Sequence, residues 1–226
     1  MFSFSGLLFF IDTIILALFA FKLGSAKKKE TNNRMIDAFY LTILILAISY
    51  LIFTIAIFFL NKNLYLFSKA KIIGDFFMYV SFSYGIKMPM AIGYPKIKTN
   101  IPLFILLTLS AVGTVFNYHN PPNPVLSQTG MIYWNVHPFS AWGLYVSALI
   151  MWIPTGIIFF NAGKKESNLL INRFSLMGLS FVIISIFGPL MVIAKTDFFI
   201  ALSQIMMTIG YFYLFAGMFY KRKQSE

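Results

Sequence analysis

The stretch IDAFYLTILILAISYLIFTIAIFFL, residues 36–60, decides the class of fold. A helix needs about 20 predominantly apolar residues to cross the hydrocarbon core of a bilayer, and this stretch is long enough. Six further apolar runs are separated from it and from one another by short polar loops: Phe4–Phe21, Ile72–Tyr94, Ile101–Asn117, Phe139–Phe160, Phe174–Ala194 and Phe198–Tyr220. The sequence therefore predicts an all-α membrane protein, a seven-transmembrane helix bundle that forms one domain over residues 1–226.

The composition agrees with a lipid environment. Of the 226 residues, 59% are hydrophobic and 11% are charged, and the mean hydropathy is +0.79. A soluble domain carries about a quarter charged residues, so this chain has too little polar surface to cover itself. We expect a multi-pass protein of the cell membrane, with the lipid bilayer as its main partner. There is no cysteine, which excludes disulfides, thiolate metal sites and a cysteine nucleophile.

The basic residues are distributed unevenly between the two sides of the predicted bundle. Thirteen lie in alternate loops and in the C-terminal tail: Lys22, Lys27, Lys28, Lys29, Arg34, Lys96, Lys98, Lys164, Lys165, Arg173, Lys221, Arg222 and Lys223. The opposite side carries Lys62, Lys69, Lys71 and Lys195. Because cytoplasmic loops are enriched in Lys and Arg, the N-terminus is predicted outside and the C-terminus in the cytoplasm. The net charge of +11 is then explained by basic loops that set the topology and contact anionic lipid headgroups. No nucleic acid is expected as a partner.

Polar side chains recur at helical spacing inside two predicted spans. The third span carries, at steps of four residues, Asp75, Tyr79, Ser83 and Lys87. The seventh carries, at i, i+4 and i+7, Gln204, Thr208 and Tyr211. Such rows face other helices rather than lipid. Two interpretations remain open: hydrogen bonds that join neighbouring helices, or the lining of a polar pocket or ion path.

Asp12 lies near the middle of the first span, and Lys87 lies in the inner half of the third. An unpaired charge at the bilayer centre costs about 2.5–3.5 kcal/mol on insertion scales. We expect the two residues to serve the bundle interior as partners for each other, bridged by Tyr79 and Ser83, or for a ligand. In the alternative, Lys87 extends to the inner headgroups and Asp12 is protonated.

The predicted outer loop Tyr118–Pro138, YHNPPNPVLSQTGMIYWNVHP, is longer than the others. Three prolines between residues 121 and 124 make it stiff and non-helical. Tyr133, Trp134 and Trp142 are expected at the membrane–water boundary, where such rings concentrate. The loop is either an interfacial cap or an extracellular lid that contacts a ligand. The candidate ligand contacts in it are His119, Trp134 and His137.

The residues present exclude several chemistries. Retinal attachment needs a lysine amine in the last span, and Phe198–Tyr220 has none. A haem inside the bundle commonly needs histidine ligands, but both histidines lie in the outer loop. No nucleotide-binding, zinc-protease or nucleophile-elbow motif occurs. We therefore expect no enzyme activity, no cofactor and no metal.

Several motifs in residues 115–220 point to one family. They are YWNVHPF at residues 133–139, Asn172-Arg173-Phe174 after a basic loop, Gly188-Pro189, and GYFY at residues 210–213. In these the chain resembles the seven-transmembrane N-terminal sensor module of histidine kinases. The resemblance implies a signal-input module with a pocket that faces outside. In the family a kinase follows the seventh helix, whereas this sequence stops, so a separate cytoplasmic signalling partner is expected.

Three classes of function follow from these observations. The first is an integral membrane sensor, or receptor-like signal-input protein, that acts through that cytoplasmic partner. The second is a small-solute or ion transporter or channel, which the polar row of the third span favours. The third is a structural subunit of a larger membrane complex. A homo-oligomer is compatible with all three.

Overall fold

The computed structural model describes residues 3–30, 33–93, 100–163 and 173–219. Its elements in chain order are α1 Phe4–Lys29, α2 Arg34–Ile55, α3 Leu64–Gly85, α4 Lys87–Gly93, α5 Asn100–His119, β1 Val125–Leu126, β2 Ile132–Tyr133, α6 Pro138–Gly163, α7 Arg173–Ile193 and α8 Asp197–Phe219. A π-helical turn, Ala56–Leu60, continues α2. The fold is therefore all-α apart from one short hairpin.

Within the described ranges, six helices are long and apolar enough to cross a membrane: α1, α2 with its π turn, α5, α6, α7 and α8. This confirms the predicted class of an apolar helical membrane protein. The predicted third span is not among the six. The helix at its place, α3, carries three charged residues: Lys69, Lys71 and Asp75.

The boundaries predicted for this third span were wrong. The helix begins at Leu64 rather than at Ile72, because the side-chain oxygen of Asn63 caps it by accepting the Leu66 N–H at 3.1 Å. It then ends at Gly85, and α4 begins at Lys87. Pro89 has no N–H for the carbonyl four residues earlier, which is that of Gly85, and its ring would clash there. The last predicted residue, Tyr94, lies outside the described residues, as does Tyr220 at the end of the seventh predicted span.

The helices pack mainly in chain order. α1 packs on α2, α2 on α3 and α3 on α5, while α6 packs on α7 and α7 on α8. α8 returns to pack on α1, which brings the two ends of the described chain together. α5 lies at the periphery, where Ser110 and Asn117 are its buried residues. The middle of the bundle is rich in aromatic side chains, including Phe39, Phe159 and Phe181, whose rings contact one another.

The segment between α5 and α6 is non-helical, as predicted from its prolines. β1 and β2 pair antiparallel, with Val125 opposite Tyr133 and Leu126 opposite Ile132. Gly130 in the turn has a φ of 82°, a left-handed conformation that suits glycine. We call residues 125–133 the outer hairpin and residues 120–137 the outer segment, after the side of the membrane on which the sequence predicts them. The outer hairpin closes one end of the bundle.

Candidate functional site

Lys71 and Asp75 form a buried ion pair one helical turn apart on α3. Both side chains are almost inaccessible, at 2% and 4% exposure. Lys71 was predicted in a loop, and this was wrong because α3 begins seven residues before it and turns its side chain into the bundle. A charge removed from water needs a partner, and the carboxylate of Asp75 supplies it. We call these two residues the α3 ion pair.

Aromatic rings cover the ammonium group of Lys71. The Nζ atom lies 4.9 Å from the centre of the Trp134 ring and 5.2 Å from that of the Phe53 ring. A cation within about 6 Å of a ring face is attracted by the electrons of that face. The positive charge is therefore held by one carboxylate and two aromatic rings, which come from α3, α2 and the segment after the outer hairpin.

Trp134 is inserted into the bundle, where protein side chains surround its ring; its predicted level at the membrane–water boundary stays a prediction. Its ring centre lies 5.3 Å from that of Phe53, 5.8 Å from that of Phe9 and 6.0 Å from that of Phe67. Only 2% of the residue is exposed, and its Nε1 has no hydrogen-bond partner. Trp142 is 57% exposed, which suits a ring that faces lipid or the interface.

Hydrogen bonds attach the outer hairpin to the start of α1. The carbonyl oxygen of Gly130 accepts from the Ser3 hydroxyl at 3.0 Å and from the Ser5 N–H at 3.2 Å. The Ile132 N–H donates to the Ser5 hydroxyl oxygen at 3.1 Å. The turn and second strand of the hairpin are thus fixed against α1, and Trp134 follows directly after them.

A second set of hydrogen bonds attaches this outer segment to α3 and α8. The Ser68 hydroxyl donates to the Pro122 carbonyl at 2.7 Å. Asp197 at the start of α8 accepts from the Thr129 hydroxyl at 2.6 Å and from the Tyr133 hydroxyl. The hydrogen bond to Asp197 raises the pKa of Tyr133, because it favours the protonated phenol. Three helices therefore hold the segment that carries Trp134.

A second polar cluster lies between α1, α2 and α8, and we call it the Asp12 cluster. The Tyr211 hydroxyl donates to the Tyr50 hydroxyl at 2.8 Å, and the Ser5 hydroxyl donates to Oε1 of Gln204 at 3.0 Å. Asp12 Oδ1 and Gln204 Nε2 are buried without a hydrogen-bond partner. Buried polar atoms are rarely left unpaired, so this cluster has capacity for a further donor and a further acceptor.

The predicted polar row of the third span is divided by the break after Gly85. Ser83 joins two helices, since its hydroxyl lies 3.0 Å from that of Ser110 on α5. Tyr79 is half-buried, and its carbonyl accepts from the Ser83 hydroxyl at 2.9 Å. Lys87 belongs to α4, with its Nζ 5.0 Å from the Tyr84 ring centre. Of the predicted row, Asp75 alone belongs to the α3 ion pair.

The structure does not pair Asp12 with Lys87. Among the described residues, the ion pairs within 4.0 Å are Lys27–Asp37 and Lys71–Asp75. The helix break before Lys87 separates that lysine from the regular α3 face on which its position was predicted. The Thr208 hydroxyl donates to the Gln204 carbonyl of its own helix at 3.1 Å.

His119, the last residue of α5, and His137 are both exposed, and each packs against an aromatic ring. His119 lies 5.8 Å from Tyr118, and His137 lies 5.1 Å from Phe116, measured between ring centres. Nδ1 of His137 accepts the Phe139 N–H at 3.2 Å. Within the described ranges, no three His, Asp or Glu side chains converge as metal ligands would.

Sequence reasoning missed Lys71, Tyr50 and Phe53. The i, i+4 spacing of Lys71 and Asp75 was the available signal, because such positions are neighbours on a helix. Tyr50 and Phe53 carried no signal beyond their place in an apolar run.

No family model matches the chain, and no curated protein shows significant similarity to it. The α3 ion pair, the Asp12 cluster and the outer hairpin are therefore the features from which a function is inferred.

Proposed function

We propose that the chain is an integral membrane sensor, a receptor-like signal-input protein that acts through a separate cytoplasmic partner. One observation carries the proposal: Trp134, attached to the outer hairpin, lies 4.9 Å from the charged Nζ of Lys71 inside the bundle. A ligand that moves the hairpin would withdraw the ring from Lys71. The α3 ion pair would then lose one of the two rings that cover Lys71, and α3 would move in response.

The far end of α3 offers a route for this response. A Cβ added at Gly85 would lie 2.8 Å from Cη2 of Trp152 on α6, so the end of α3 is in close contact with that helix. The helix breaks at the same point, and α4 also packs on α6. Tightly packed interfaces shift between discrete arrangements rather than deforming continuously. A movement of α3 would therefore reach α4 and α6 at the opposite end of the bundle.

The proposal includes α3 as a seventh span, with the N-terminus outside and the C-terminus in the cytoplasm. The helix has 22 residues, or about 33 Å at 1.5 Å per residue, against a hydrocarbon core of about 30 Å. Lys71 and Asp75 neutralise each other inside the bundle. The uneven distribution of lysines and arginines supports this orientation, in which the outer hairpin would lie on the extracellular side.

The signalling proposal is tested in source cells that lack the chain. Genes whose transcript levels change on its removal serve as the readout. We expect wild-type protein to restore them and Trp134→Ala to fail, at equal amounts of protein in the membrane. Trp142→Ala is the matched control, because that ring is exposed, and it should restore them. Equal restoration by both variants would overturn the proposal.

Transport is the second candidate, and the Asp12 cluster favours it. Intramembrane ionisable groups often mark ion pathways, and Asp12 Oδ1 and Gln204 Nε2 are unpartnered. Proteoliposomes loaded with a pH-sensitive dye separate the two functions. The sensor predicts proton flux no faster than in protein-free liposomes under an imposed gradient. Flux that is lost in Asp12→Asn would replace the sensor with a transporter.

A further inference from the structure

A groove of about 840 Å³ runs between α1 and α2 on the outside of the bundle. Its apolar wall is formed on α1 by Ala17 and Ala20, and on α2 by Leu44, Ala47, Ile48 and Leu51. Ile48 and Leu51 are 36% and 47% exposed, so the groove opens toward the surroundings of the bundle. For a helix pair of this length and hydropathy, those surroundings are lipid chains.

Two hydroxyl groups of α1 line the groove, and each donates to a backbone carbonyl of its own helix. The Thr13 hydroxyl donates to the Phe9 carbonyl at 2.8 Å and lies 3.0 Å from the Thr54 hydroxyl. Ser25, on the opposite side of the apolar wall, donates to the Phe21 carbonyl at 3.1 Å. Between Thr13 and Ser25 the walls therefore offer mainly apolar surface.

The other end of the groove is basic. Lys27 and Lys28 line it, in the last turn of α1. Lys27 is already paired with Asp37 at 3.0 Å, and its Nζ lies 5.3 Å from the Tyr40 ring centre. Lys28 is exposed and has no ion-pair partner among the described residues. The ammonium group of Lys27 is thus held by Asp37, whereas that of Lys28 is available to bind an anion.

We propose that the groove binds one anionic glycerophospholipid of the bilayer. An acyl chain lies along the apolar wall, and the phosphate contacts Lys28. The distance from Thr13 to Lys28 along α1 is about 22 Å at 1.5 Å per residue, which is within the span of a bilayer leaflet with its headgroup. Basic residues next to a membrane helix attract anionic headgroups. This site is independent of the proposed signalling function and of the direction in which the chain crosses the membrane.

Native mass spectrometry of the full chain in detergent tests the site. The protein is titrated with phosphatidylglycerol or with phosphatidylcholine of the same acyl chains, and the fraction that retains one lipid is measured. We expect wild-type protein to retain phosphatidylglycerol more tightly. Lys28→Gln should weaken phosphatidylglycerol binding roughly fivefold, the effect of one basic residue at a membrane surface, and leave phosphatidylcholine binding unchanged.

Two matched controls separate the groove from general surface charge. Lys29→Gln changes the same charge in the same helical turn, but Lys29 does not line the groove. It should leave phosphatidylglycerol binding as in wild type. Ala17→Leu fills the groove from an exposed position and should weaken binding of both lipids, whereas Ala111→Leu on the exposed face of α5 should not.

Equal retention of the two lipids by wild-type protein would overturn the proposal. Equal loss of phosphatidylglycerol binding in Lys28→Gln and Lys29→Gln would also overturn it. Unchanged binding of both lipids in Ala17→Leu would do so as well. Size-exclusion profiles that match wild type establish that each variant is folded. All four substitutions are at exposed positions, so each protein is expected to pass this check.

Discussion

The ammonium group of Lys71 lies 4.9 Å from the centre of the Trp134 ring, and both residues are 2% exposed. One residue belongs to the buried face of α3, and the other follows the outer hairpin. Burial removes the ammonium group from water, and the attraction between the cation and the ring face offsets part of that cost. The stability of the outer segment and that of the α3 ion pair should therefore be linked.

Replacing Lys71 alone should destabilise the protein more than replacing both residues of the α3 ion pair. Lys71→Met leaves Asp75 as an uncompensated buried charge, and loss of one partner of such a pair costs about 3–5 kcal/mol. The double variant Lys71→Met/Asp75→Asn removes both charges and should recover most of that loss. Thermal unfolding in one detergent measures the difference. A double variant as unstable as the single one would contradict the pairing.

The exposed pair Lys27–Asp37 is the matched control. Both of its side chains are 40% exposed, and exposed ion pairs contribute about 0–1 kcal/mol. Lys27→Gln should therefore change the unfolding midpoint much less than Lys71→Met.

Trp134 should contribute strongly to stability and Trp142 should not. Trp134→Ala removes a ring packed against Phe9, Phe53 and Phe67, and Trp→Ala in a core costs about 3–5 kcal/mol. Trp134→Phe should cost less, since it keeps a ring and removes the unpartnered Nε1. Thermal unfolding of these variants beside Trp142→Ala gives the comparison. Equal loss in Trp134→Ala and Trp142→Ala would contradict the buried placement.

The close approach of α2 and α3 at Gly74 should not tolerate a side chain. A Cβ there would lie 2.2 Å from Cε1 of Phe53, and the Gly74 carbonyl accepts the Ser49 hydroxyl at 2.8 Å. Gly74→Ala forces Phe53 to move, and overpacking of this kind costs about 1–3 kcal/mol. In Gly143→Ala the new Cβ meets nothing within 4 Å, so thermal unfolding should show no loss for that variant.

Asp12 and Lys87 should behave independently. They form no ion pair, and Lys87 lies on α4 beside the Tyr84 ring. The effects of Asp12→Asn and Lys87→Met on the unfolding free energy should therefore add within about 0.5 kcal/mol. A double-mutant cycle in detergent measures the coupling. A larger coupling energy would show that the two residues interact through the bundle.

The topology proposal is tested with single cysteines, since the chain has none of its own. A membrane-impermeant maleimide should react from outside with Lys62→Cys and Asn123→Cys. It should react only from the cytoplasmic side with Lys28→Cys and Asn100→Cys. Lys62 and Asn100 flank α3 and α4, so reaction of both from one side would exclude α3 as a span.

Most of the helical architecture was predictable because it depends on local composition. A run of about 20 apolar residues is long enough to cross a bilayer wherever its neighbours lie, and six of the seven predicted runs coincide with helices of that kind. The non-helical outer segment was also predictable, since proline limits its own backbone conformation and that of the preceding residue. The break after Gly85 was not predicted, since Pro154 and Pro189 lie inside helices that continue past them whereas α3 ends before Pro89.

The sites were decided by tertiary structure. The sequence alone predicted Lys71 in a loop, whereas α3 begins at Leu64 and packs on α2, which buries this lysine. Nor did the sequence indicate that Trp134 is buried, because its burial depends on the attachment of the outer hairpin to Ser3 and Ser5. The burial of a side chain depends on which helices meet around it, across separations of more than a hundred residues in the sequence. Sequence by itself determined which segments are apolar helices. The packing of those helices then brought Trp134, from a distant part of the chain, onto Lys71 and Asp75 of α3 in one buried site.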